Sequence, residues 1–355
     1  MMWLEAGHRS EARIAALDGW RGIAILLVLF EHVGTGLAGR YTEPWLQTGQ
    51  HGVTFFFVLS GFLITSKLLQ GPIDLKRFYI RRFFRLMPVA WAYLAVLVLF
   101  DLMTSLHFTS LKEVCGALLF YRNFVGAAGG GAMAGHFWSL SIEEQFYLVW
   151  PCLLLLAGSR RAGWLAAAGA VTCACFRFAH WGFYDRQWYA FHTEVRADAL
   201  MIGCTCALLL SNPKVRSFAL KQSEYWVIPA VALLPFCIFR FHWLPPLFES
   251  ITVGLLIAAS AVHPQWFLAR CVSLRPLAWL GTVSYSIYVW QEVFLAHYRA
   301  TSTVITMMCL MPVFALASYY AIERPATRFG HRITGREFAQ PAEADEGLVT
   351  APEAV

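Results

Sequence analysis

The chain has 355 residues, of which 58% are hydrophobic and 14% charged. Soluble domains carry about 25% charged residues, so the composition excludes an ordinary soluble fold. Apolar windows of membrane-spanning length recur along the chain and point to an all-α integral membrane protein. The net charge of +6 sits in clusters between those windows, a pattern that orients helices in a bilayer and does not speak for nucleic acid.

Ten spans are expected, at 20–37, 53–69, 87–105, 137–158, 162–180, 192–210, 225–241, 247–263, 276–297 and 303–322. The first apolar run follows Arg9, Arg13 and Arg21. It is too long for a signal peptide and has no small-residue cleavage site, so it reads as an uncleaved span. Basic clusters at Lys76-Arg77, Arg81-Arg82-Arg85, Arg160-Arg161, Lys214-Arg216-Lys221, Arg270-Arg275 and Arg324-Arg328-Arg332-Arg336 all fall on the cytoplasmic side if both termini are cytoplasmic. The stretch 115–125 is too short to span and reads as a re-entrant or interfacial segment buried against protein. The Gly-rich 126–135 that follows is an outer loop. No internal repeat supports a transporter built of two similar halves. The expected organisation is a cytoplasmic segment 1–16, a membrane domain 17–330 arranged around a channel, and a polar, disordered tail 331–355. The nine cysteines form no CxxC pair and read as packed free thiols rather than a metal site.

Three apolar segments carry charges that a bilayer disfavours. In "GWRGIAILLVLFEHVG" (19–34), Arg21 and His32 lie eleven positions apart, about three helical turns, hence on one face and ~16 Å apart along the axis. Arg21 alone could snorkel to headgroups; Glu31 and His32 beyond mid-span argue for a lined cavity. In "LKRFYIRRFFRLMP" (75–88), Arg77, Arg81 and Arg85 repeat every four residues on an amphipathic interfacial helix, with Arg82 beside them; Lys76 and Arg77 read as contacts to anionic lipid. In "HFWSLSIEEQFYLVWP" (136–151), Ser139 and Glu143 share a face while Glu144 is turned by about 100°. Arg196 and Asp198 lie at the outer start of the sixth span, where they read as an ion pair with each other or with Glu143, at the substrate side. Tyr285 and Tyr288 read as pocket-lining residues, and Glu323 as an anchor for a cytoplasmic arginine.

These segments, with "GVTFFFVLSGFLIT" (52–65), "RADALMIGC" (196–204), "LGTVSYSIYVW" (280–290) and "IERP" (322–325), resemble in order the motifs of the membrane acyltransferase 3 family, in its form without an appended soluble domain. The resemblance implies transfer of an acyl group, most commonly acetyl, from cytoplasmic acyl-CoA to a hydroxyl of a glycan or glycolipid at the outer face of the bacterial inner membrane. Some relatives modify small molecules instead. Matching the family's Arg-x-x-Arg, Arg82 and Arg85 are expected to bind CoA phosphates as guanidinium forks, with Arg81 assisting. His32 is expected as general base, since an unperturbed imidazole titrates at about 6.5; an acyl-His32 intermediate is the alternative. Glu143 is expected to hold the His32 imidazolium or an acceptor hydroxyl, Arg21 to complete the catalytic face, and Ser139, Tyr288, Arg196 and Asp198 to bind substrate. Two departures stand out: Gln291 replaces a frequent family His, and Glu31 places a carboxylate beside the expected base unless it points elsewhere. No metal is expected, and membrane lipids are the surrounding partner. A polytopic transporter of a glycan or a proton-coupled substrate is the competing class, and a purely structural membrane subunit fits the buried charges worst.

Overall fold

The computed structural model describes residues 7–38, 48–104, 109–125, 132–179, 191–239, 246–295 and 301–335. Among them all regular structure is helical. The helices are α1 (Gly7–Ala38), α2 (Gly49–Leu68), α3 (Leu75–Thr104), α4 (Leu111–Leu118), α5 (Phe137–Ala179), α6 (Asp198–Ser211), α7 (Pro213–Phe239), α8 (Pro246–Val262), α9 (Phe267–Val272), α10 (Arg275–Leu295), α11 (Thr301–Ser318) and α12 (Arg324–Ile333). Among the described residues four stretches are long and apolar enough to cross a membrane: Gly49–Leu68, Leu75–Thr104, Phe137–Ala179 and Ser302–Ile333. Leu102, Leu156, Trp164 and Phe178 are each three-quarters or more exposed. Such large apolar surface is a liability in water and the natural covering of a bundle in lipid.

Each expected span falls on helix wherever it is described, with two differences. The turn expected between the fourth and fifth spans is a break inside α5 at Gly158, whose φ of 72° and ψ of 162° lie in a region open essentially to glycine alone. The sixth span is interrupted: a single turn, Thr193–Arg196, precedes α6. The segment expected to be re-entrant begins earlier than its apolar run, at Ser110, which with Glu113 forms a capping box on α4. Glu113 also pairs with buried Arg122 at 2.9 Å, so this stretch is held by an ion pair as well as by apolar packing. The Gly-rich loop expected at 126–135 lies outside the described residues up to 131, as does the tail beyond 335.

Contact registers give the helix directions around the core. Gly22 meets Leu277 and His32 meets Glu292, so α1 and α10 run parallel. Leu86 meets Tyr285 and Tyr93 meets Trp290, so α3 runs with them. Arg82 meets Glu144 and Tyr79 meets Leu148, so the first limb of α5 runs the other way, as does α2, where Gly52 meets Ala24 and Thr48 meets Leu27. The α1–α10 crossing is unusually close. A side chain at Gly22 or Gly281 would collide with the backbone carbonyl of Leu277 or Asp18, as one at Gly19 would with that of Val272 at the end of α9, and small residues at such crossings are how helices in lipid gain packing energy.

Replacing Gly281 by Val should therefore destabilise the bundle by ~1–3 kcal/mol through overpacking, read as a lower melting temperature in detergent. The control Gly71→Val, where nothing lies within 4 Å of an added Cβ, should melt like the parent.

Candidate active site

A cavity of ≈ 1520 Å³ lies inside the helix bundle, larger than the roughly 300–1,000 Å³ of common ligand sites. Arg81, Arg82 and Arg85 of α3 line it, with Arg21 of α1, Ser60 of α2, Ser139, Glu143 and Tyr147 of α5, and Ser284, Tyr285 and Tyr288 of α10. Ser139, Glu143 and Tyr147 are spaced i, i+4, i+8, a polar stripe ~12 Å long down one face of α5. The stripe runs from the arginine level, where Arg82 packs on Tyr147, to the level of Tyr288.

The arginines differ in how they are committed. Arg82 donates to Glu144 at 3.1 Å and stacks on the Tyr147 ring. Arg81 donates to the Thr334 hydroxyl and the Gly335 carbonyl, both at 2.8 Å, and Arg77 also donates to that carbonyl. These two side chains fasten the C-terminal end of α12, where unpaired carbonyls attract cations. Arg85 makes no ion pair or hydrogen bond among the described residues and keeps exposed surface within the cavity. Glu323 faces Arg85 and Arg21 electrostatically while accepting from the Ser286 hydroxyl at 2.6 Å; the arginine anchor expected of it takes this looser form. Arg21 pairs with Asp18 at 3.2 Å.

The expected partnership of Glu143 with His32 is not the one formed. Glu143 accepts from the Ser60 hydroxyl at 2.7 Å. The carboxylate of His32 is Glu292, with Nε2 and Oε2 3.4 Å apart, and the same Oε2 lies 3.8 Å from Nδ1 of His136. The reason is register: the parallel α1–α10 crossing sets His32 opposite Glu292. Glu31 turns away to accept from the Gly49 N–H and so serves the N-terminus of α2, where helix N–H groups lack partners. Arg196 and Asp198 do not pair either. Asp198 holds Arg177 at 2.9 Å, whereas Arg196 donates to the Gln50 carbonyl and lies over the Trp138 ring. Gln291 is fully buried, and its Nε2 and Oε1 lack hydrogen-bond partners among the described residues.

His32 is not among the residues lining the cavity. The expected passage to it ends one helical turn short, at Tyr288 and Ser139, whose hydroxyls bond each other at 2.5 Å. Both oxygens also lie 3.1 Å from the His136 carbonyl; with one hydrogen each, one hydroxyl donates to that carbonyl and the other to its partner hydroxyl. Glu292 follows Tyr288 by four residues on α10, so the two share a face.

The family model for an acyltransferase domain of type 3 matches residues 14–322. The chain belongs to the acyltransferase 3 family. It is 31% identical to the putative peptidoglycan O-acetyltransferase YrhL of Bacillus subtilis (91% of this chain, 56% of that protein). It is 28% identical to the peptidoglycan O-acetyltransferase OatA of Listeria monocytogenes (79% and 49%), and 30% identical to the putative O-acetyltransferase SACOL0978 of Staphylococcus aureus (89% and 58%). The chain thus spans about half the length of these relatives. No solved structure matches it. Within this acyltransferase 3 chain, the site also holds Glu292 and His136, which the sequence did not single out, although His136 opens the 136–151 motif and Glu292 lies two residues beyond the 280–290 motif. The available signal was a second intramembrane carboxylate, at 292, one turn beyond Tyr288.

The unequal commitments of the arginines separate their roles. Arg82→Ala leaves Glu144 without its partner and should cost on the order of 3 kcal/mol, seen as a lowered melting temperature. Arg85→Ala, which breaks no ion pair or hydrogen bond among the described residues, should melt like the parent.

Proposed function

We propose that this protein transfers an acyl group, acetyl in the first instance, from cytoplasmic acyl-CoA to a hydroxyl of a glycan or glycolipid on the far side of a bacterial inner membrane. The observation that carries the reading is the single cavity that joins an uncommitted guanidinium, Arg85, to the Ser139–Tyr288 hydroxyls. CoA carries several phosphate charges at one end and its thioester at the end of a long arm. A cationic mouth followed by a polar stripe suits that shape. The names of the B. subtilis and L. monocytogenes relatives, peptidoglycan O-acetyltransferases, support a glycan acceptor.

In this reading the chain crosses the membrane ten times with both termini cytoplasmic, and the alternating directions of α1, α2, α3 and the first limb of α5 support it. Arg85, with Arg82 and Arg81 beside it, holds the CoA phosphates. The arm lies along Arg21, Ser60 and Glu143, and the thioester reaches Ser139 and Tyr288. His32 takes the proton of the acceptor hydroxyl. The new C–O bond forms as the C–S bond breaks, and the departing thiolate takes the proton back from the imidazolium. Arg196, over Trp138, offers a cation and a ring face to the acceptor on that side.

The test is incubation of inside-out membrane vesicles with acetyl-labelled acetyl-CoA, followed by fractionation. Alkali-labile label in a glycan or glycolipid fraction, lost in His32→Ala at parental protein levels, is expected. Label in no such fraction overturns the acyl-transfer reading and leaves the transporter class. Normal transfer by His32→Ala removes His32 from the chemistry.

A further inference from the structure

The His32 ring has both nitrogens engaged. Nδ1 lies 2.9 Å from the Val28 carbonyl, which can only accept, so Nδ1 carries a hydrogen. Nε2 faces Oε2 of Glu292. A bare lone pair facing a bare carboxylate oxygen is repulsive, so one proton sits between them, on one atom or the other. In this arrangement the imidazole has no lone pair for an acceptor hydroxyl. It is a base in closed form.

The release is next to it. Oε2 of Glu292 also lies against Nδ1 of His136, 0.4 Å farther than its contact with His32 (3.8 against 3.4 Å). The His136 residue is 6% exposed, and neither ring nitrogen has a hydrogen bond of normal geometry among the described residues. Its own carbonyl lies 3.1 Å from the hydroxyl oxygens of both Ser139 and Tyr288 at the end of the cavity and accepts from one of that bonded pair. One residue therefore touches the end of the donor cavity through its backbone and the His32 carboxylate through its ring. The charged and titratable groups that also face Glu292 are Glu31, Arg122, Tyr93 and Tyr288. Glu31, Arg122 and Tyr93 are bonded to Gly49, Glu113 and the Met133 carbonyl, and Tyr288 to Ser139, which leaves the second imidazole as the place for the carboxylate to go.

We propose that Glu292 is a positioning residue that moves between His32 and His136. This rests on the acyl-transfer reading above. Held to His32, it keeps the base closed. Moving to His136, it carries the shared proton away from Nε2 and passes it to His136 Nδ1 or keeps it on Oε2. The bared Nε2 lone pair then accepts the acceptor's O–H proton as the C–O bond forms and the C–S bond breaks. The thiolate recovers that proton from Nε2–H, and the stored proton returns to the Glu292–His32 contact. Protons balance over the cycle, and no oxidant or further reactant is needed. Coupling the swing to His136 ties opening of the base to the state of the hydroxyl pair that a thioester would meet first.

The experiment uses the full chain in proteoliposomes, with acetyl-CoA as donor and a chitin oligosaccharide as probe acceptor. Glu292→Gln should lower kcat by roughly tenfold or more with the acetyl-CoA KM within about twofold of the parent, and Glu292→Asp should recover part of the loss. His136→Asn should lower kcat in the same way. A second measurement, independent of turnover, is the ¹⁵N spectrum of ring-labelled histidine, with His32 assigned by its loss in His32→Asn. The His32 Nε2 resonance should shift in Glu292→Gln and in His136→Asn. Parental kcat in Glu292→Gln, or an unshifted Nε2 resonance in that variant, overturns the proposal. If Glu292→Gln does not fold, His136→Asn decides by the same two readouts. If the parent transfers no acetyl group, the acyl-transfer reading fails on its own and the spectrum still judges the contact.

Discussion

The parallel crossing of α1 and α10 is the contact on which the site depends. Glycine at 22 and 281 lets the two backbones approach until carbonyls pack where side chains would otherwise stand. That approach fixes a register, and the register sets His32 against Glu292 three turns above Arg21. A wider crossing would leave a carboxylate and an imidazole each facing an apolar medium, where an unpaired charge is costly.

The same cost explains how the other charges are arranged. Arg82 meets Glu144, Arg122 meets Glu113 and Arg177 meets Asp198, each within 3.1 Å. Glu143 is met by the Ser60 hydroxyl, and Glu31 by the backbone at the start of α2. Against that background the guanidinium of Arg85 lines the cavity with no ion pair or hydrogen bond among the described residues. Its nearest electrostatic counterpart is Glu323, which hydrogen-bonds Ser286, so the guanidinium keeps its donors open toward the cavity.

Much of this was legible in the sequence, and the remainder divides by cause. The helices followed from apolar windows and basic punctuation, because a bilayer imposes length and satisfied backbone on each span. Arg21, Arg82, Arg85, Ser139, Glu143 and Tyr288, expected at one site, line one cavity, whereas His32, expected on the face of Arg21, does not. Pairings between helices were harder. Glu143 seemed the natural partner of His32, and Asp198 of Arg196, yet spacing along one helix says nothing about the register against another. Glu292 was hidden for the same reason. The break at Gly158 was legible only as a missing loop: the sequence held a glycine before two arginines, and one residue with φ of 72° did the work of a turn.

The most direct measurement is to map where the acyl end of the donor lies. An acyl-CoA bearing a photoreactive diazirine on its acyl chain would be bound to the full-length protein, irradiated, and the labelled peptides sequenced. Insertion within 139–147 and 284–288, suppressed by excess acetyl-CoA, is the predicted result. Labelling confined to the lipid-facing groove around Leu156 and Trp164, and untouched by that competitor, would contradict a donor path through the bundle.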